Sequence, residues 1–254
     1  MAARLEGTVA LVTGASSGIG EATARALVAQ GAAVALAARR KDRLERLAAE
    51  IVGHGGRAHV LEIDVTQQAQ AQAAVDQTVA ELGRLDILIN NAGVMLLGPV
   101  VDAPLDEWDR MVDLNIRGLL YTAHAALSHL LKAAEDAPRQ VADLVNISSV
   151  AGRAPRRGSG VYNLTKFGVG AFSESLRQEV TTRHVRVALV EPGAVKTELT
   201  SHLRPEIQEQ SRQRFEGVER LEAEDIADAI AYIVTRPRHV AINELLIRPT
   251  EQEL

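Results

Sequence analysis

In the stretch "VYNLTK", Tyr162 and Lys166 stand four residues apart. On a helix that spacing places a phenol and an ammonium on one face. A phenol with an ordinary pKa of ~10 is a poor acid/base group at neutral pH, but a neighbouring cation favours the phenolate and makes the pair tunable. Ser149 ends the run "ADLVNISS", thirteen residues before Tyr162, where its hydroxyl can bond the oxygen of a reacting carbonyl. A tyrosine and a lysine at this spacing also arise by chance, with a lysine snorkelling past a half-buried ring. The serine is what turns the pair into a constellation. Ser148 is its rival, and alternation along a strand puts the two on opposite faces.

The elements that must hold these groups follow a βα rhythm. "TVALVTG", "AAVALAA", "AHVLEID", "LDILINNAG", "ADLVNISS", "VRVALVEPG" and "ELLIRP" read as strands. Helical patterns cover 18–30, 41–53, 67–82, 105–133, 161–182 and 223–235. The strands lack polar alternation, as strands of a parallel sheet do when helices cover both faces. The fold class is therefore α/β, a doubly wound parallel sheet of about seven strands, in one domain spanning 1–254. Two segments break the pattern. Residues 132–143 read as a loop insertion, and 201–220, charged and rich in Gln, as part of a mobile substrate lid over 196–220.

The turn "TGASSGIG" leaves the first strand and opens a helix, with Gly14, Gly18 and Gly20 spaced GxxxGxG. Gly14 suits a tight turn, Gly18 lets backbone approach a pyrophosphate, Gly20 allows close packing, and the helix N-terminus offers N–H groups to phosphate. In NAD-binding folds an acid about 20 residues further on takes the ribose hydroxyls. Here that place holds Ala38, followed by Arg39 and Arg40. There is no carboxylate to repel a 2′-phosphate and a guanidinium to bind one, so NADP(H) is the expected cofactor, with Arg39 its main phosphate partner.

Composition narrows the partners. A net charge of −5 and a sequence pI near 5.8 disfavour nucleic-acid and anionic-membrane faces, which need clustered Lys and Arg. The chain has no cysteine, so disulfide and thiolate chemistry are excluded, and a cytoplasmic location is expected. The opening "MAARLEGTVALVTG" lacks the features of a signal peptide, and no stretch approaches the roughly 20 apolar residues of a membrane span. A small molecule is the expected partner. His124 and His129 lack a metal-ligand pattern, and no metal is expected.

With these motifs in hand the chain resembles a short-chain dehydrogenase/reductase over essentially its whole length. "TGASSGIG" matches the family's cofactor turn, "NNAG" at 90–93 its central-strand signature, and "DLNIRG" its segment with the catalytic Asn115. Ser149 and "YNLTK" match its Ser-Tyr-Lys set, and "PGAVKT" at 192–197 its nicotinamide-side turn. The resemblance implies a single-domain Rossmann fold and hydride transfer between NADP(H) and an aldehyde, ketone or alcohol. Tyr162 would be the general acid/base, Ser149 would polarise the substrate oxygen, and Lys166 would bond the nicotinamide ribose and lower the phenol pKa. Asn115 would hold a water linking Lys166 to solvent. The cofactor site it implies comprises Gly14, Ser16, Ser17, Gly18, Ile19, Gly20, Arg39, Arg40, Asp64, Val65, Asn91, Ala92, Gly93, Tyr162, Lys166, Pro192, Gly193, Val195 and Thr197. A homotetramer, with helices 105–133 and 161–182 at its interfaces, is also implied. The alternative is a redox-sensing protein that binds the dinucleotide without turnover; such a protein would be expected to have lost one of Ser149, Tyr162 and Lys166.

The substrate side is less legible. Met95, Ser149, Val150 and Leu199 are the candidate pocket residues. Met95, Leu96 and Leu97 form an apolar run that reads equally as core, and Trp108 reads as packing. Arg153, Arg156 and Arg157 read first as a solvated loop and otherwise as a carboxylate-recognising one. Within the family, "NNAGVMLLGPV", "KFGVGAFSESLRQEV" and "ELLIRPTEQ" are most similar to the NADPH-dependent clavulanate-aldehyde reductases and the 3-hydroxy-acid (serine-type) dehydrogenases. That points to a small polar metabolite.

Overall fold

In the computed structural model, which describes residues 4–253 apart from Asp102 and Ala137, seven strands form one parallel sheet. They are β1 (Val9–Thr13), β2 (Ala33–Ala38), β3 (Ala58–Glu62), β4 (Ile87–Asn90), β5 (Ala142–Ile147), β6 (Val185–Pro192) and β7 (Glu244–Ile247), in the order β3-β2-β1-β4-β5-β6-β7. The helices are α1 (Gly18–Ala29), α2 (Lys41–Gly53), α3 (Gln68–Leu82), α4 (Leu105–Val112), α5 (Leu119–Glu135), α6 (Gly160–Val180), α7 (Pro205–Arg214) and α8 (Ala223–Val234).

The sheet is covered on both faces, so β1, β4, β5 and β6 are buried along their whole length. Side chains still alternate. Ala10 and Val12 of β1 join the core under α1, α2 and α8, whereas Leu11 joins the core under α3, α5 and α6. Strand order reverses between β1 and β4, and the crevice at the C-terminal ends of these strands is where open α/β sheets take their ligands. At the opposite end Asp86 and Asp143, both fully buried, accept bonds from Arg84 and from Arg139 and Arg186.

Three expected segments gain detail. The expected helix 105–133 is interrupted by a π-helical turn at Asp113–Gly118, centred on Asn115, a geometry that hydrophobic period does not encode. The segment 132–143 is regular at both ends: α5 runs on to Glu135, with Ala133 and Ala134 buried, and β5 begins at Ala142, so the connection lies within 136–141. The segment 201–220 contains α7, which Pro205 starts and in which Ile207 is the buried residue. One buried residue in ten leaves almost no periodicity to read. Among the described residues no helix is long and apolar enough to cross a membrane.

Candidate active site

The C-terminal ends of the strands open into a cavity of about 970 Å³. All of the expected site residues line it except Gly20 and Asn115. Both exceptions stand one layer behind. A Cβ on Gly20 would run into the Gly14 carbonyl and the Asn91 amide, so this glycine brings α1 against the turn. Asn115 is buried, and its Oδ1 accepts from Val94 N–H at 2.8 Å while its Nδ2 donates to Val94 O at 2.9 Å and Thr165 Oγ1 at 3.2 Å. This side chain ties the backbone of Val94, beyond the end of β4, to Thr165 of α6.

The glycine turn is built to admit a phosphate. Gly14 and Gly18 have φ of 67° and 54°, and a Cβ on Gly18 would press on Thr197 at 3.1 Å. Ser17 precedes α1 in extended backbone with no side-chain cap bond, so the first N–H groups of the helix face the cavity with no capping side chain. Asn91 Nδ2 donates to Thr13 O at 3.0 Å and holds this turn against β4. At the end of β2, Arg40 donates to Ser16 Oγ at 3.1 Å and Ser17 Oγ at 2.6 Å. Its remaining nitrogen reaches Glu198 at 2.7 Å, which Arg43 also grips at 2.7 Å. Arg40 and Arg43 hold the Glu198 carboxyl down at about 2. Arg39 lies exposed at the rim. These residues fit a dinucleotide with a 2′-phosphate: a helix N-terminus free for the pyrophosphate, no acid at the end of β2, and guanidinium groups beside it.

The reacting groups meet at the other end. Tyr162 is 6% exposed and packs with Val94, Leu96 and Met111. Burial pushes its phenol up to about 12, and the Ser149 hydroxyl bonded to it pulls in the opposite direction. Ser148 instead turns away and donates to Lys166 O at 3.0 Å. Lys166 is 7% exposed, donates from Nζ to Ile147 O at 2.9 Å and sits 5.8 Å from the Tyr162 ring centre. Burial pushes its amine down to about 8. Desolvation is the largest influence on both groups, and it biases each toward its neutral form.

This burial has a consequence for stability. With a folded pKa near 8 against an ordinary 10.5, Lys166 binds fewer protons in the folded than in the unfolded chain between those values, so its depressed pKa makes stability rise with pH across that window. The penalty is full below pH 8 and vanishes above 10.5. Against Lys166→Met, the wild type is expected to gain about 2 kcal/mol between pH 8 and 10, measured by urea unfolding. Tyr162 is present in both proteins and cancels. An unchanged difference would place the amine in solvent.

Several cavity residues carried no signal in the sequence. Ile207, Arg214 and Phe215 come from α7 and its end, and Gln252 from the C-terminal turn, where its side chain accepts from Ala194 N–H at 2.8 Å. Leu96 is core, Met95 and Leu97 line the cavity, and Trp108 packs behind them. The loop of Arg153, Arg156 and Arg157 is not simply solvated. Arg153 pairs with buried Glu191 at 2.7 Å and with Glu244, and the other two line the cavity. Among the described residues no group of acidic or histidine side chains could hold a metal.

A model of the short chain dehydrogenase family matches residues 8–208. The chain belongs to that family. An uncharacterized oxidoreductase of Staphylococcus aureus (strain MRSA252) is 37% identical to this family member, over 95% of this chain and 96% of the relative. A serine dehydrogenase complexed with NADP+ superposes with a TM-score of 0.88 at 32% identity, covering 97% of each chain. A 3-ketoacyl-(acyl-carrier-protein) reductase from Brucella melitensis, complexed with NADH, gives 0.84 at 30% identity over 96% and 97%. Family membership makes the protein an oxidoreductase of short-chain type. It does not choose between the two dinucleotides, because the structures it resembles carry both.

Proposed function

We propose that the protein is an NADP(H)-dependent carbonyl reductase or alcohol dehydrogenase. It would act on the aldehyde, ketone or alcohol of a small metabolite, as a cytoplasmic enzyme. The observation that carries this reading is the buried Tyr162 phenol, bonded to Ser149 and adjoining Lys166, in the same cavity as the glycine turn. The bound cofactor supplies or accepts a hydride at the substrate carbon. Tyr162, kept protonated by burial, gives its proton to the carbonyl oxygen in the reductive direction. Ser149 donates a hydrogen bond to the same oxygen. Lys166 holds the nicotinamide ribose, and Asn115, which ties Val94 to α6, holds a water linking Lys166 to solvent. Val195 and Thr197 hold the carboxamide side, and Asp64 and Val65 the adenine.

Further parts belong to the same reading. Residues 196–220 act as a lid, since Leu199, Ile207 and Arg214 line the cavity. A homotetramer is supported by Leu164 and Phe167 of α6 and Leu246 of β7, apolar residues left exposed on the outer faces. Loss of NADPH absorbance against a panel of aldehydes, ketones and oxo acids, with NADH in parallel, tests the function. Tight NADPH binding with silence across the panel would return the weight to the redox sensor.

In place of Arg39, which the sequence favoured and which lies exposed at the rim, we assign the 2′-phosphate chiefly to Arg40, which bonds Ser16 and Ser17 of the turn and would have to release Glu198 to take it. Arg40→Asp is expected to weaken NADPH about 10–100-fold while NADH changes little, the range for losing a charge-assisted bond. Fluorescence titration of both dinucleotides checks this. If Arg39→Asp shifts the preference and Arg40→Asp does not, the outer arginine is the partner.

A further inference from the structure

The cavity is also lined by Arg156, a half-buried residue whose guanidinium has no ion-pair partner among the described residues. The Nη2 of Arg156 is buried and has no hydrogen-bond partner among the described residues. Its own backbone is firmly placed. With the Asn163 amide oriented to donate to Ser159 O, its oxygen accepts from Arg156 N–H at 2.8 Å, and Ser159 N–H donates to Arg156 O at 3.2 Å. Asn163 is the neighbour of Tyr162 on α6, so the Arg156 backbone is tied to the residue beside the phenol, and both Arg156 and Tyr162 line the same cavity.

The charges that act on Arg156 are cationic. Burial pushes its pKa down, and Arg214 and Arg248 push in the same direction; the group nevertheless stays protonated at any physiological pH. The carboxylates lining the cavity are engaged elsewhere. Glu198 is held by Arg40 and Arg43, Asp113 by Arg117, and Asp64 by Thr66. A buried guanidinium donor without an acceptor is costly unless an anion arrives to take it. Arg214, the last residue of α7, is exposed, lines the same cavity and is near enough for its charge to act on Arg156.

We propose that Arg156, with Arg214 from α7, forms an anion subsite for a carboxylate on the substrate, so that the enzyme prefers oxo acids and hydroxy acids to neutral carbonyl compounds. The planar fork of Arg156 suits a carboxylate's two oxygens. This rests on the carbonyl-reductase reading, which supplies the reacting end, while the subsite itself rests on Arg156.

Two readouts separate the claims. The first is kcat/KM with NADPH for a ladder of 2-, 3- and 4-oxo acids, each beside its methyl ester. The second is calorimetric binding of malonate, which has no carbonyl to reduce. The wild type is expected to favour at least one acid over its ester, and Arg156→Gln to lower that acid-to-ester ratio and malonate affinity about 10–100-fold. Arg156→Lys should recover part of the loss. Arg214→Gln, at an exposed position, should lower the ratio about threefold or more. A ratio and a malonate affinity unchanged in both Gln variants would overturn the subsite, as would a wild type that neither binds malonate nor prefers an acid. Neutral aldehydes reduced in that case would leave the carbonyl-reductase reading intact. Malonate bound through Arg156 by a protein that oxidises NADPH with no substrate would keep the subsite and sink that reading.

Discussion

Tyr162→Phe is expected to lower turnover by about 10²–10⁴-fold, the span of a positioned proton donor, while NADPH affinity stays within about threefold. The phenol lies under the apolar cluster of Val94, Leu96 and Met111, and phenylalanine refills that volume. What is lost is the hydroxyl that Ser149 faces, and with it the proton for the substrate oxygen. Burial holds this phenol at about 12, so in wild type it is protonated throughout the neutral range and ready to donate. Steady-state turnover and a fluorescence titration of NADPH, run on the same preparations, decide the matter. Equal losses in both would make Tyr162 a structural residue, and an unchanged turnover would move the proton donor elsewhere.

Asp143→Ala is expected to destabilise the fold by about 3–5 kcal/mol, a large part of the roughly 5–15 kcal/mol of a typical domain. Asp143 is fully buried at the start of β5 and accepts from Arg186 at 2.7 and 2.9 Å and from Arg139 at 2.9 Å. Removing the carboxylate leaves two guanidinium groups in the interior with their principal anion gone. Arg186 retains carbonyl contacts from Val234, Arg236, Pro237 and Val240, which neutralise no charge. Urea unfolding monitored by circular dichroism measures the loss. A change below about 1 kcal/mol would mean that solvent reaches the cluster and screens it.

Much of the fold was legible because its signals are local. The seven short apolar runs announced strands, and helix α2 lies where its period placed it, at Lys41–Gly53. The failures have identifiable physical sources. The π-helical turn around Asn115 depends on a side chain that crosses to Val94, a partner twenty-one residues away. Helix α7 is held by Pro205 and little else that a hydrophobic pattern registers. The buried chain in which Thr122 donates to Asn90, Asn90 to Asn146, and Asn146 to Ser173 joins four elements and could not be read from any one of them.

For the site, the sequence by itself determined which chemical groups are present and on which elements they ride: the glycine turn before α1, the missing acid at Ala38, and the phenol and amine one helical turn apart. These follow from backbone stereochemistry and side-chain period, which act over a few residues. Only the tertiary structure decided that burial would raise Tyr162 and depress Lys166, that Arg40 would face Ser16 and Ser17, and that Arg156 would line the cavity with no carboxylate partner among the described residues. Those properties depend on how much water is excluded and on which charges approach from distant segments, and the close packing of the whole chain is what sets both.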